Sequence, residues 1–80
     1  MSFEEFKQTQ KRIQQDNGYE KFIEYYYYDN NGNMIAWIRK ECRLTKYNKG
    51  KQYQAAKGTT YINCKTLEEA LQKAYELTVV

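Results

Sequence analysis

Eighty residues, 41% hydrophobic and 29% charged, are expected to make one small folded domain, neither a disordered tail nor a membrane protein. No run approaches the ~18 apolar residues of a membrane span, and the opening SFEEFKQTQKR has no signal-peptide core, so the chain is expected to act in a cytoplasm. Histidine is absent and the net charge is +3, which removes the commonest general base and metal ligand and leaves a mildly anion-seeking protein.

In chain order, Ser2-Phe3-Glu4-Glu5 is a capping box, and Phe3, Phe6 and Ile13 recur on one side, predicting a thinly amphipathic helix over 3–15. Asp16-Asn17-Gly18 would end it, with Gly18 as a left-handed cap. Tyr19 to Tyr28 has strand composition, and its four consecutive tyrosines put two rings on each face. Asp29-Asn30-Asn31-Gly32-Asn33 is a turn, because Asn and Gly tolerate positive φ. A second strand over 34–46 follows, then a turn at Lys46–Lys51. The third strand, 52–64, is long enough to bend or break at Gly58. Thr66-Leu67-Glu68-Glu69 is another capping box. Leu67, Ala70, Leu71, Ala74 and Leu77 then mark a well-defined amphipathic helix, with Val79 and Val80 extending its packing. The expected fold is α+β: a three-stranded antiparallel meander sheet with an N-terminal and a C-terminal helix packed on it, α-β-β-β-α, as a single domain over 1–80.

Charge is unevenly spread. Residues 30–65 hold eight basic side chains (Arg39, Lys40, Arg43, Lys46, Lys49, Lys51, Lys57, Lys65) against Glu41 alone, between two acidic flanks. Such a block attracts nucleic acid or an acidic protein surface. The alternative is lysines keeping sheet edges soluble. Nine tyrosines, abundant Asn, Lys, Gln and Ile, and no proline fit AT-rich coding, as in a low-GC bacterium or its phage. Two cysteines, Cys42 and Cys64, are too few for a disulfide framework or a zinc site within one chain, and are expected as buried thiols.

Alternation separates two faces. Met34, Ala36, Ile38, Cys42 and Leu44 suit packing under the last helix. The opposite parity carries Trp37, Arg39 and Arg43, joined on the third strand by Tyr53, Lys57 and Tyr61. Tyr26 and Tyr28 are placed with them, since they share the parity of Glu24. Rings stack unpaired bases while cations hold phosphates. Two bland readings compete. The N-terminal helix could cover this face, with Phe3, Phe6 and Ile13 against Trp37, or the tyrosines could be cross-strand pairs of an exposed sheet.

No nucleophile elbow, phosphate-binding loop or zinc-protease motif is present. Glu68 and Glu69 are explained by a helix N-terminus, Glu20 and Glu24 have no pocket, and Cys42 falls on the core parity. No catalytic residue, cofactor or metal is expected. The element order resembles the double-stranded-RNA-binding domain. Where that family sets a lysine cluster at its last helix, this chain reads Lys65-Thr66-Leu67-Glu68-Glu69. The stretch 27–74, with T-x-x-E-A at Thr66 to Ala70, also resembles the arm-binding domain of phage-type integrases. That resemblance implies a sheet entering the major groove with Trp37, Arg39, Arg43, Tyr53 and Lys57 toward DNA.

The expectation is therefore a non-enzymatic module binding nucleic acid through an aromatic, basic sheet face. The rival is a protein-binding inhibitor or adaptor of the phage anti-defence or anti-CRISPR type, acting by occlusion on an acidic protein or nucleoprotein surface. A homodimer through the sheet or through Phe3, Phe6 and Ile13 is a third arrangement. No membrane partner is expected.

Overall fold

The computed structural model describes residues 1–16, 21–41 and 53–79. The order is α1 (Phe3–Gln8), β1 (Lys11–Asp16), β2 (Lys21–Tyr28), β3 (Met34–Glu41), β4 (Tyr53–Lys57), β5 (Thr60–Cys64) and α2 (Leu67–Thr78). The strands form one five-stranded antiparallel sheet in chain order. The α+β class and the meander are as expected. The strand count is not, because two elements divide differently.

The first division lies in the predicted N-terminal helix. Its capping box is real: Ser2 Oγ accepts from Glu5 N–H, and Glu5 Oε1 accepts from Ser2 N–H, both at 3.1 Å. Beyond Phe6, however, the only apolar side chain before residue 17 is Ile13, so a longer helix has little to bury. The helix stops at Gln8. Thr9 Oγ1 donates to Phe6 O at 2.8 Å and accepts from Tyr28 N–H at 3.0 Å, tying the helix end to β2. Lys11-Arg12-Ile13-Gln14 then runs as an exposed edge strand, whose cations discourage further pairing.

The second division is at Gly58. Its φ of +61° turns the chain in two residues, so that Lys57 faces Thr60 and the long third strand becomes a hairpin. The turn at 29–33 forms as expected, with Gly32 at φ +83° and Asp29 Oδ1 accepting from the N–H groups of Asn31 and Asn33 at 2.9 Å. Those bonds, Asn33's first, hold the Asp29 carboxyl below its usual pKa. A bulge beside Tyr27 and Tyr28 sets Met34 opposite Tyr28 and leaves Ile35 as the extra residue.

Both helices lie on one face of the sheet. Tyr25, Tyr27, Ala36, Ile38, Ala55 and Cys64 pack there against Phe6 of α1 and Ala70 and Ala74 of α2. Four of these are alanines, so α2 can approach the sheet closely, while Leu67, Leu71 and Tyr75 fill its flanks. Thr66 Oγ1 caps α2 by accepting from Glu69 N–H at 3.1 Å. The Glu69 carboxylate takes Lys65 N–H instead of completing a capping box. Val79 is 60% exposed, so it does not extend the packing. Val80 and Gly18, with the 46–51 turn, lie outside the described residues.

Phe6 stacks on Tyr27, with centroids 4.4 Å apart, and the Tyr27 phenol donates to Gln10 Oε1 at 2.7 Å. Burial, and secondarily Tyr25, pushes the Tyr27 phenol's pKa well above its ordinary value. The unfolded chain therefore gives up this proton first as pH rises past about 10, while the folded chain keeps it. Stability supplied by the neutral phenol is complete below that pH and drains away above it. The urea midpoint should fall in strong alkali, and fall less steeply for Tyr27→Phe. Equal slopes for the two proteins would remove Tyr27 as the cause.

Candidate binding face

Among the described residues, no helix lies on the opposite face of the sheet. Pairing generates it as two rows that cross all five strands. Lys11, Tyr26, Trp37, Ala56 and Tyr61 are successive partners in the first row, and Ile13, Glu24, Arg39, Gln54 and Asn63 in the second. Tyr28 lies beyond the first row, with Lys11 Nζ 5.0 Å from its ring centre. Phe22 lies beyond the second, with the Arg39 guanidinium carbon 4.2 Å from its ring centre.

Trp37 and Tyr61 meet edge to face at 6.2 Å across Ala56, which they leave fully buried although it faces away from the helices. Tyr61 remains 55% exposed. Arg39, itself exposed, lies over Phe22, which is 7% exposed. Burial first, then the neighbouring Glu24 carboxylate, raises the Tyr26 phenol's pKa, so the ring carries a neutral hydroxyl at physiological pH. From Tyr26 to Tyr61 the first row spans three inter-strand steps, about 14 Å. That is room for two or three splayed bases.

Trp37, Arg39, Tyr61, Tyr26 and Tyr28 thus share this face, and Tyr25 and Tyr27 turn inward. Tyr53 and Lys57 do not belong to it. The expectation that put them beside Trp37 assumed an unbroken third strand, in which residues 53, 57 and 61 share a side. The two-residue turn reverses the parity, so Tyr61 pairs with Ala56, and Tyr53 and Lys57 face the helices. Tyr53 packs against the core, and Lys57 Nζ donates to Leu77 O at 3.1 Å, supplying a cation to the C-terminal end of α2. The integrase resemblance implied DNA contacts for both residues, and they are withdrawn with the face. Arg43 lies outside the described residues, as do Cys42 and Leu44. The suggestion that the N-terminal helix covers Trp37 is overturned: Phe6 sits on Tyr27, and Phe3 on Tyr75, on the other side.

In its described part the face is also less basic than the residue 30–65 block. Among the described side chains it carries Lys11 and Arg39 against Glu24. Lys40 lies on the helix side, with its Nζ 5.7 Å from the Tyr53 ring centre. Sequence reasoning missed Phe22, Lys11, Gln54 and Asn63. The parity of Phe22 with Tyr26 and of Asn63 with Tyr61 was available, whereas Gln54 needed the reversal at Gly58 and Lys11 needed a strand that was not predicted. Cys64 is buried, and burial, with Glu69 nearby, raises its thiol's pKa, the setting of an inert core cysteine. Among the described residues no three Cys, Asp or Glu side chains gather to hold a metal, and no helix is long and apolar enough to cross a membrane.

No protein family, curated protein or solved structure matches this chain.

Proposed function

We propose that the protein is a non-enzymatic module that binds single-stranded nucleic acid on the open face of its sheet. The observation that carries this reading is the placement of both helices on one side, which leaves Tyr26, Trp37 and Tyr61 in a line across the other with Arg39 and Lys11 beside them. Stacking on aromatic side chains is sequence-tolerant and contributes about 1–3 kcal/mol per base. The two cations described on the face, Lys11 and Arg39, add phosphate contacts without dominating the affinity. Double-stranded nucleic acid is a poorer ligand, because its bases are already stacked on one another.

Fluorescence anisotropy with short single-stranded oligonucleotides tests this directly. Two phosphate contacts would give a log–log salt slope of about −1.4 on single strands. Arg39→Ala should make that slope shallower by about 0.7, one contact's share. Absence of binding at low salt would end the proposal.

A second reading has an observation of its own. Ile13, on the same face, and Met34, opposite Tyr28, are 41% and 47% exposed, and neither offers a stacking plane for a base. With Trp37, Tyr61 and Arg39 they have the composition of a protein hot spot. An inhibitor or adaptor acting by occlusion, phage-encoded or not, would use the same face. Binding to a purified protein partner that survives nuclease treatment and is lost in Trp37→Ala would favour it over the first.

A further inference from the structure

Beside the ring-bearing row runs one whose side chains end, from β2 to β5, in a carboxylate, a guanidinium and two carboxamides. Glu24, Arg39, Gln54 and Asn63 are successive cross-strand partners, and Gln54 Nε2 donates to Asn63 Oδ1 at 3.4 Å. Each lies two residues along its own strand from a position in the first row: Glu24 from Tyr26, Arg39 from Trp37, Asn63 from Tyr61. Two strand residues cover about 7 Å. A base lying on one of those rings can therefore aim its edge at the polar group beside it.

Glu24 is the unexpected member. A surface that only stacked bases and collected phosphates would be better without a carboxylate in its middle, since that charge repels the backbone. A carboxylate is an acceptor with two oxygens and no donor. The base edge that meets it with two adjacent donors is the Watson–Crick edge of guanine, through N1–H and the N2 amino group. Adenine and cytosine offer one amino group next to a ring acceptor, which would face the second carboxylate oxygen with like polarity. Thymine and uracil offer one imide N–H between two carbonyls. Next to N1 in guanine is O6, an acceptor, and next to Glu24 is Arg39, all donors, with its guanidinium carbon 4.2 Å from the Phe22 ring centre.

We infer that Glu24, with Arg39 beside it, makes this face a reader of guanine in single-stranded nucleic acid, the base lying on Tyr26. The inference rests on the nucleic-acid reading above and adds its specificity.

The test uses the intact protein and oligothymidylates that carry one central guanine, inosine, adenine or cytosine. Inosine keeps N1–H and O6 and lacks only the N2 amino group. Guanine should bind at least about fivefold more tightly than inosine, the low end of what one paired base-edge contact discriminates. Glu24→Gln should abolish that ratio while raising affinity for the plain oligothymidylate, because a repulsive charge is gone. A purely structural Glu24–Arg39 pairing would leave the ratio untouched, and so overturn the inference. Equal affinity of the wild-type protein for all four oligonucleotides, or a preference for another base, also overturns it, and leaves the sheet face as a nucleic-acid surface. If none of them binds at low salt, both proposals fall. The wild-type guanine–inosine comparison needs no variant, so it stands even if Glu24→Gln folds poorly.

Discussion

Replacing Tyr27 by alanine is expected to remove much of the protein's stability. Tyr27 is fully buried, stacks on Phe6 and anchors Gln10 through its phenol. Truncating a buried aromatic ring costs about 3–5 kcal/mol, part lost transfer energy and part cavity. A domain of this length has about 4–12 kcal/mol in total, at about 0.05–0.15 kcal/mol per residue. The rest of the core is poorly equipped to collapse into the gap, because Ala36, Ala55, Ala70 and Ala74 have no side-chain atoms beyond Cβ to move in. Loss of the ring also releases α1, whose one buried residue, Phe6, packs on it. Tyr27→Phe should cost only about 1 kcal/mol, the net worth of one hydrogen bond. Urea unfolding followed by circular dichroism reads both. A Tyr27→Ala midpoint close to wild type would show that the Phe6–Tyr27 stack does not hold the two layers together.

Trp37→Ala is expected to do the reverse, weakening ligand binding far more than folding. The indole is half-buried and covers Ala56 together with Tyr61, so some stability is lost, but neither α1 nor α2 packs on it. If a base stacks there, affinity should drop by about 1–3 kcal/mol, roughly 5- to 150-fold. Tyr61→Ala should give a smaller loss of the same kind, since a phenol offers less stacking area than an indole. Oligonucleotide anisotropy and urea melts on the same preparations separate the two effects. Unchanged affinity with the fold intact would take Trp37 out of the binding surface, and the role of the first row with it.

These two residues also show how far the sequence can be followed. Alternation separated Tyr25 and Tyr27 from Tyr26 and Tyr28, but only the polar Glu24 in phase with the second pair said which pair turns outward with Trp37; in the structure Tyr27 is buried and Trp37 lies on the opposite face. The helix caps at Ser2 and Thr66, the Asp29 turn and the small apolar residues of β3 were all legible, because each depends on neighbours within a few positions. What failed depends on distant partners. β1 has almost no apolar alternation. It is a strand because β2 offers it an open row of backbone groups, and Thr9 ends the helix in time to reach them. Tyr53 and Lys57 went to the wrong side because whether Gly58 bends a strand or reverses it is decided by how β5 and α2 pack, which local composition does not record.

The tight reversal at Gly58 and Thr59 has an evolutionary corollary. Identity at Tyr61 or Asn63 can drift one substitution at a time, and each change alters a single contact. A single codon gained or lost in that hairpin is a different event. It would swap inside for outside along all of β5, presenting Ile62 to solvent and driving the phenol into the alanine-lined layer beneath α2. Relatives of this protein are therefore expected to vary in spelling at this corner of the molecule while keeping its letter count.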